Sequence, residues 1–256
     1  MAKAILVDSS KCIGCRGCQV ACKQWHELKA EPTTFPAFPG TYENPADLSE
    51  RTWRKVKFVE TAAGNGAARW HFLSDACKHC TDASCLAVCP TGALFRRPWG
   101  AVDLNQEVCN GCRYCAAACP FGVITFNQET GRANKCIMCP DRVEAGLEPA
   151  CVATCPTDAL TFGDRDQLLE RAKQRVTELQ ADGREGARLY GERELSGLHQ
   201  LYVLQDRPET YGLPEKPRYA TASVFPGSAL SVLASVVMGA AAVVAFRERG
   251  EKGEEE

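Results

Sequence analysis

The chain has 256 residues, an ordinary 45% of hydrophobic residues and a formal net charge of −2. That near-neutral balance excludes the broad basic surface that nucleic acid demands. The unusual number is 16 cysteines, a content that leaves disulfide staples, zinc sites or iron–sulfur clusters as the chemistry to weigh. In chain order, Lys3–Asp8 (KAILVD) reads as a strand, with no secretory apolar segment and no twin-arginine pair before it. It runs into the first cysteine group, Cys12-x2-Cys15-x2-Cys18-x3-Cys22. Residues 31–50 are rich in Pro, Thr and Asn and read as a loop. Val56–Glu60 and Trp70–Leu73 read as strands either side of a turn at Gly64–Gly66. Group two follows, Cys77-x2-Cys80-x4-Cys85-x3-Cys89-Pro90, then a strand at Ala93–Arg96. Group three is Cys109-x2-Cys112-x2-Cys115-x3-Cys119-Pro120, then a strand at Val123–Phe126. Group four is Cys136-x2-Cys139-x11-Cys151-x3-Cys155-Pro156, then a strand at Leu160–Phe162.

The last hundred residues contain no cysteine. Leu168, Leu169, Ala172, Val176 and Leu179 recur at helical spacing and predict a helix over 166–181, capped by Asp164 or Asp166. Leu201–Leu204 reads as a further strand, and the Pro-rich 205–219 as a strap over a surface. From Ala220 to Phe246 there are 27 residues without a charge, enough to cross a hydrocarbon core, which takes about 20 helical residues. Within it Gly227, Ser231, Ser235 and Gly239 form a small-residue stripe of the kind on which another membrane helix packs. Basic residues tie on either side (Arg207, Lys216 and Arg218 before; Arg247, Arg249 and Lys252 after), so charge does not orient the span.

The cysteine rhythm decides the chemistry. Groups one and three follow the bacterial ferredoxin run, and groups two and four keep its C-x2-C front and C-x3-C-Pro back around insertions. A C-x2-C-x2-C loop curls three thiolates toward one cubane. The fourth cysteine, expected at the start of a short helix, points to the other cluster of a pair. Gly14, Gly17 and Gly111 are expected to supply positive φ inside the loops. Zinc prefers separated C-x2-C pairs and disulfides have no use for this rhythm, so four [4Fe–4S] clusters is the reading. Two groups make one ferredoxin-like unit, and spacing alone leaves open which groups pair. Lys78, Arg113 and Lys135 sit beside ligands, where positive charge could raise a reduction potential, and read by default as solvated loop charges. His79, between Cys77 and Cys80, is not needed as a ligand. Trp25 and His26 read as cluster covers, partner contacts or ordinary packing. No catalytic residue and no substrate pocket is indicated: the chain is not an enzyme by itself, and has no small-molecule substrate of its own.

These features resemble the four-cluster ferredoxin-like electron-transfer subunits of molybdenum or tungsten oxidoreductases and some membrane hydrogenases. Within that family, Cys15–His26 (CRGCQVACKQWH), the Asn44-Pro45-x-Asp47-Leu48 segment and Tyr211-Gly212-Leu213-Pro214 resemble the iron–sulfur (beta) subunits of membrane-bound formate dehydrogenases. The resemblance implies an α+β fold of two interleaved 2[4Fe–4S] units: an outer one over 1–76 and 120–165 (groups one and four) and an inner one over 77–119 (groups two and three). A helix and strap over 166–219, a transmembrane helix over 220–246 and a charged tail over 247–256 complete the chain. It further implies ligand set 1 as Cys12, Cys15, Cys18 and Cys155, and set 2 as Cys77, Cys80, Cys85 and Cys119. Set 3 is then Cys109, Cys112, Cys115 and Cys89, and set 4 Cys136, Cys139, Cys151 and Cys22. The implied partners are a catalytic alpha subunit with a molybdenum or tungsten bis-pterin centre and a membrane cytochrome b gamma subunit that reduces quinone, met through the C-terminal helix. The implied place is the cytoplasmic membrane, with the globular part on the periplasmic face, in anaerobic respiration. The competing readings are the electron-transfer subunit of a membrane-bound hydrogenase, that of a quinol-dependent oxyanion reductase, and a soluble polyferredoxin.

Overall fold

The computed structural model describes residues 1–33, 42–62, 68–220 and 231–244. It divides at 219/220 into two compact units. The first unit begins with β1 (Lys3–Asp8), whose residues alternate. Ile5 and Val7 enter one core, while Ala4 and Leu6 enter another on the opposite face. α1 (Gly17–Trp25) follows the first cysteine loop. β2 (Lys55–Ala62) and β3 (Ala68–Asp75) pair antiparallel as a hairpin. The expected turn at Gly64–Gly66 lies outside the described residues. α2 (Ser84–Ala87), the β4 (Leu94–Arg96) and β5 (Val102–Leu104) pair, and α3 (Tyr114–Ala118) make the middle of the unit. Next come the two-residue strands β6 (Thr125–Phe126) and β7 (Ala133–Asn134), then α4 (Pro140–Glu144) and α5 (Ala150–Ala153).

β8 (Leu160–Asp164) returns to pair antiparallel with β1. It leads into α6 (Arg165–Ala181), whose Asp164 cap accepts a hydrogen bond from Asp166 N–H. β9 (Arg188–Tyr190) and β10 (Gln200–Leu204) complete a four-stranded sheet of order β8-β1-β10-β9, with β10 parallel to β1. α6 lays Leu168, Ala172 and Leu179 on the Ala4, Leu6, Leu201 and Val203 face of this sheet. The opposite face, with Ile5, Val7, Tyr202 and Leu204, packs against Cys18 and Cys151. The sheet is thus a wall with a helix behind it and cysteines in front. Residues 205–219 contain one short 3₁₀ turn at Pro208–Tyr211 and are otherwise irregular, as a Pro-rich strap should be.

Two expectations about the cysteine loops are corrected. The third cysteine, not the fourth, opens each short helix: Cys18, Cys85, Cys115 and Cys151 lie within α1, α2, α3 and α5. Cys89, Cys119 and Cys155 follow the last helical residue because Pro90, Pro120 and Pro156 bar continuation. Group one has Lys23 in place of proline, so α1 runs through Cys22 to Trp25. Gly17 is helical and has no positive φ. Arg16 takes the left-handed conformation instead, as Arg113 does at the matching place in group three.

The second unit contains a helix over residues 231–244, whose Ser235 hydroxyl donates to the Ser231 carbonyl at 2.9 Å. Its Val232, Leu233, Val236, Val237 and Met238 are all exposed. Among the described residues no helix is long and apolar enough to cross a membrane. The expected 220–246 transmembrane helix is therefore seen only as this shorter segment, and 221–230, 245–246 and the charged tail over 247–256 lie outside the described residues. Capping gives a quantitative check on the first unit. Asp164→Ala should lower stability by about 1 kcal/mol, read as an earlier denaturant midpoint under anaerobic conditions; an unchanged midpoint would show that the cap does not hold α6.

Candidate iron–sulfur site

The second residue between the paired cysteines has the same backbone in all four groups. Gly14, His79, Gly111 and Met138 have φ of 69°, 47°, 70° and 64°. A left-handed residue here reverses the chain between two thiols. For His79 and Met138 it costs about 1–2 kcal/mol that glycine avoids. At Gly111 space matters as well, since an added Cβ would stand 2.5 Å from the Gly131 carbonyl oxygen.

The sixteen thiols, all free, are grouped by which of them act electrostatically on one another. Cys12 feels Cys18, Cys155 and Cys15. Cys80 feels Cys77, Cys119 and Cys85. Cys115 feels Cys109, Cys112 and Cys89, and Cys22 feels Cys136, Cys151 and Cys139. In every group the fourth cysteine joins the first three of another. Thiols of different sets also act on one another: Cys85 feels Cys115, Cys136 feels Cys77, and Cys151 feels Cys18, which links set 3 to set 2, set 2 to set 4 and set 4 to set 1. Of the sixteen cysteines only Cys112 and Cys15, in the two terminal sets, are exposed.

Burial pushes ten of these thiols up, among them Cys12, Cys115 and Cys151 to about 11 and Cys85 and Cys139 to about 12, whereas at partly buried Cys89 burial is outweighed by hydrogen bonds from the Leu94 main chain and from Thr91, which lower it. A thiolate is the ligand form, so the interior calls for positive charge, which iron supplies when bound. Among the described residues no three Cys, His, Asp or Glu side chains converge on one ion, as tetrahedral zinc requires. Four cysteines per set fit the Cys₄ shell of a cubane, one thiolate to each iron. Main-chain N–H groups assist, as when Ala133 N–H points at Cys109 Sγ at 3.5 Å.

Charges that sequence reasoning placed in solvent lie inside. Lys78 and Lys135 are each 1% exposed, whereas Arg113 is exposed as expected. Lys78 is paired with Asp75, which also meets Lys57 at 3.2 Å. Burial opposes the Asp75 carboxylate, but the two ammonium groups prevail and hold its pKa below the usual range. Lys135 donates to the carbonyls of Val102 and Cys136. His79 is fully buried; burial and then Lys135 keep it neutral, and its Nδ1 accepts from Val102 N–H at 3.1 Å. His26 Nε2 lies 3.4 Å from Cys139 Sγ and its ring meets Trp53 at 4.8 Å, so this histidine covers a thiol. Trp25 is half-exposed, donating to Asp141 at 2.9 Å beneath the Arg142 guanidinium. Sequence reasoning missed Arg54, which is buried among the thiols far from any cysteine motif. No local pattern marks it, since Arg54, Lys55 and Val56 are buried in succession.

The fold and the thiol sets define a ferredoxin-like protein built to carry [4Fe–4S] clusters. Two matches to a 4Fe-4S dicluster domain, at residues 11–93 and 68–165, agree. The chain is 45% identical to the "formate dehydrogenase, nitrate-inducible, iron-sulfur subunit" of Escherichia coli, over 91% of its own length and 79% of that protein. It is 40% identical to the formate dehydrogenase iron–sulfur subunit of Haemophilus influenzae, over 94% and 77%. A thiosulfate reductase electron transfer subunit of Salmonella typhi is 38% identical over 75% of this chain and 92% of that one. This chain belongs to the family of formate dehydrogenase iron–sulfur subunits.

Group three offers a direct check on the loop geometry. Gly111→Ala should lose the cluster at Cys109, Cys112, Cys115 and Cys89, removing about a quarter of the bound iron; full iron with unchanged absorbance would mean that the glycine is dispensable.

Proposed function

We propose that the chain relays electrons through four [4Fe–4S] clusters, one in each thiol set. They pass from a molybdenum or tungsten formate-oxidising catalytic subunit to a membrane subunit that holds haem b and reduces quinone. The observation that supports this reading is the succession of thiol-to-thiol influences from set 3 through sets 2 and 4 to set 1, with an exposed cysteine in each terminal set. Cys15 has exposed Ile13 and Val20 nearby in the chain, and Cys112 has Tyr114 and Val108. Apolar rims of this kind suit docking of a donor at one end and an acceptor at the other. The cluster supplies one-electron chemistry over a range of about −700 to +450 mV. The protein fixes where each cluster stands and what charge surrounds it. The similarity to formate dehydrogenase subunits supports formate as the electron source. The similarity to a thiosulfate reductase subunit supports a shared wire that can also run toward a reductase.

The uncharged 220–246 stretch, with its exposed helix over 231–244, supports a membrane span docked on the cytochrome subunit through Ser231, Ser235 and Gly239. The resemblance to membrane-bound formate dehydrogenase subunits, not the span itself, supports a globular part at the periplasmic face.

The ligand sets make a specific prediction. Cys155→Ala should alter the cluster held by group one and leave the cluster of Cys136, Cys139 and Cys151 intact in cluster-resolved EPR; loss of the group-four signal instead would refute the exchange. For the partners, the complex would be purified anaerobically through this chain from detergent-solubilised membranes and given formate. Bleaching of the broad cluster absorbance, with molybdenum or tungsten present, is the expected result. Bleaching by hydrogen or reduced quinone alone would assign the chain to a hydrogenase or reductase, and recovery only from the soluble fraction would remove the membrane span.

A further inference from the structure

Arg54 stands immediately before β2 and is the largest of the fully buried side chains, at 1% exposure. One terminal nitrogen donates to Ser74 Oγ at 3.0 Å and the other to Gln200 Oε1 at 2.9 Å. Nε is buried without a partner. The neighbouring Lys55, Lys57 and Lys78 each meet a carboxylate, and among the described residues Arg54 meets none. What surrounds it is sulfur. Its charge acts on Cys151, Cys136 and Cys22 of set 4 and on Cys18 of set 1. Ser74 extends the contact, since its hydroxyl lies 3.2 Å from Cys18 Sγ.

A guanidinium taken from water without a counter-ion is strongly destabilising. A polar network of Ser74 and Gln200 is neutral and does not offset a full charge. Thiolate-bound clusters do, because the shell they sit in is anionic. The position is also specific, between two sets rather than beside one. Lys78 acts on set 2 through Cys80 and Cys119, and Lys135 acts on Cys85 and Cys136. Arg54 alone among these three cations joins sets 4 and 1.

We propose that Arg54 is the counter-charge shared by the clusters of sets 4 and 1, with its free Nε as the donor left for cluster sulfur, and that it raises the reduction potentials of these two clusters together. This rests on the four-cluster reading above. An electron arriving from the neighbouring cluster makes the buried charge one unit more negative. A fixed cation lowers the cost of that step, and one shared cation does so for both clusters of the pair. Arg54 thus lifts the clusters of sets 4 and 1 in potential relative to those of sets 2 and 3.

The test is a potentiometric titration of the anaerobically purified holoprotein, followed by EPR, for wild type, Arg54→Gln and Arg54→Lys. In Arg54→Gln two of the four midpoints should fall by at least a tenfold change in the reduced-to-oxidised ratio, 59 mV for one electron, while the other two hold. Arg54→Lys should retain most of the wild-type values. No shift, an equal shift of all four, or a shift confined to one cluster would overturn the proposal. Should Arg54→Gln fail to assemble its clusters, Arg54→Lys is expected to assemble all four, and a lysine variant that fails alike would overturn it too. A wild-type titration with fewer than four clusters would instead refute the four-cluster reading, which keeps the two failures apart.

Discussion

Sixteen cysteine thiols brought together in the interior of one unit are the constraint to which the rest of the structure answers. Burial disfavours the thiolate form of many of them, Cys12 and Cys151 included, so a bound metal and the site stabilise each other. The loops meet the constraint with a left-handed residue at Gly14, His79, Gly111 and Met138, which turns paired thiols toward one centre. Short helices beginning at the third cysteine then carry the fourth away to another set. The β8-β1-β10-β9 sheet closes the outer sets from behind, with α6 sealing its far face. Cations complete the arrangement: Lys78, Lys135 and Arg54 are buried beside thiols rather than lying in solvent.

Much of this was legible from the residues. The cysteine rhythm gave the chemistry, and the Lys3–Asp8 strand and the 166–181 helix have almost the expected bounds. The prolines after Cys89, Cys119 and Cys155 mark where the short helices stop, and the missing proline after Cys22 marks that α1 continues to Trp25, but both signals went unread because the helix was expected to start at the fourth cysteine. That extension, with the α4 insertion of group four, is why Trp25 meets Asp141 and Arg142 and why His26 reaches Cys139. Charge was the hard part. Lys135 and Arg113 look alike beside their ligands, yet one is buried and the other exposed. The difference lies in long-range packing that no local pattern reports. β9 and β7, of three and two residues, are too short to show a period of two and exist because a partner strand is present.

Among the cysteines only Cys15 and Cys112, in sets 1 and 3, are exposed; those of set 4 are all buried, and those of set 2 are buried or partly buried. Relatives of the chain include formate dehydrogenase iron–sulfur subunits and a thiosulfate reductase electron transfer subunit.

The most direct test of the central claim is the metal and sulfide content of the anaerobically isolated chain. If its sixteen cysteines form four Cys₄ shells around cubanes, it should contain about sixteen iron atoms and as many acid-labile sulfides per chain. Zinc without labile sulfide, or iron for only two clusters, would contradict it.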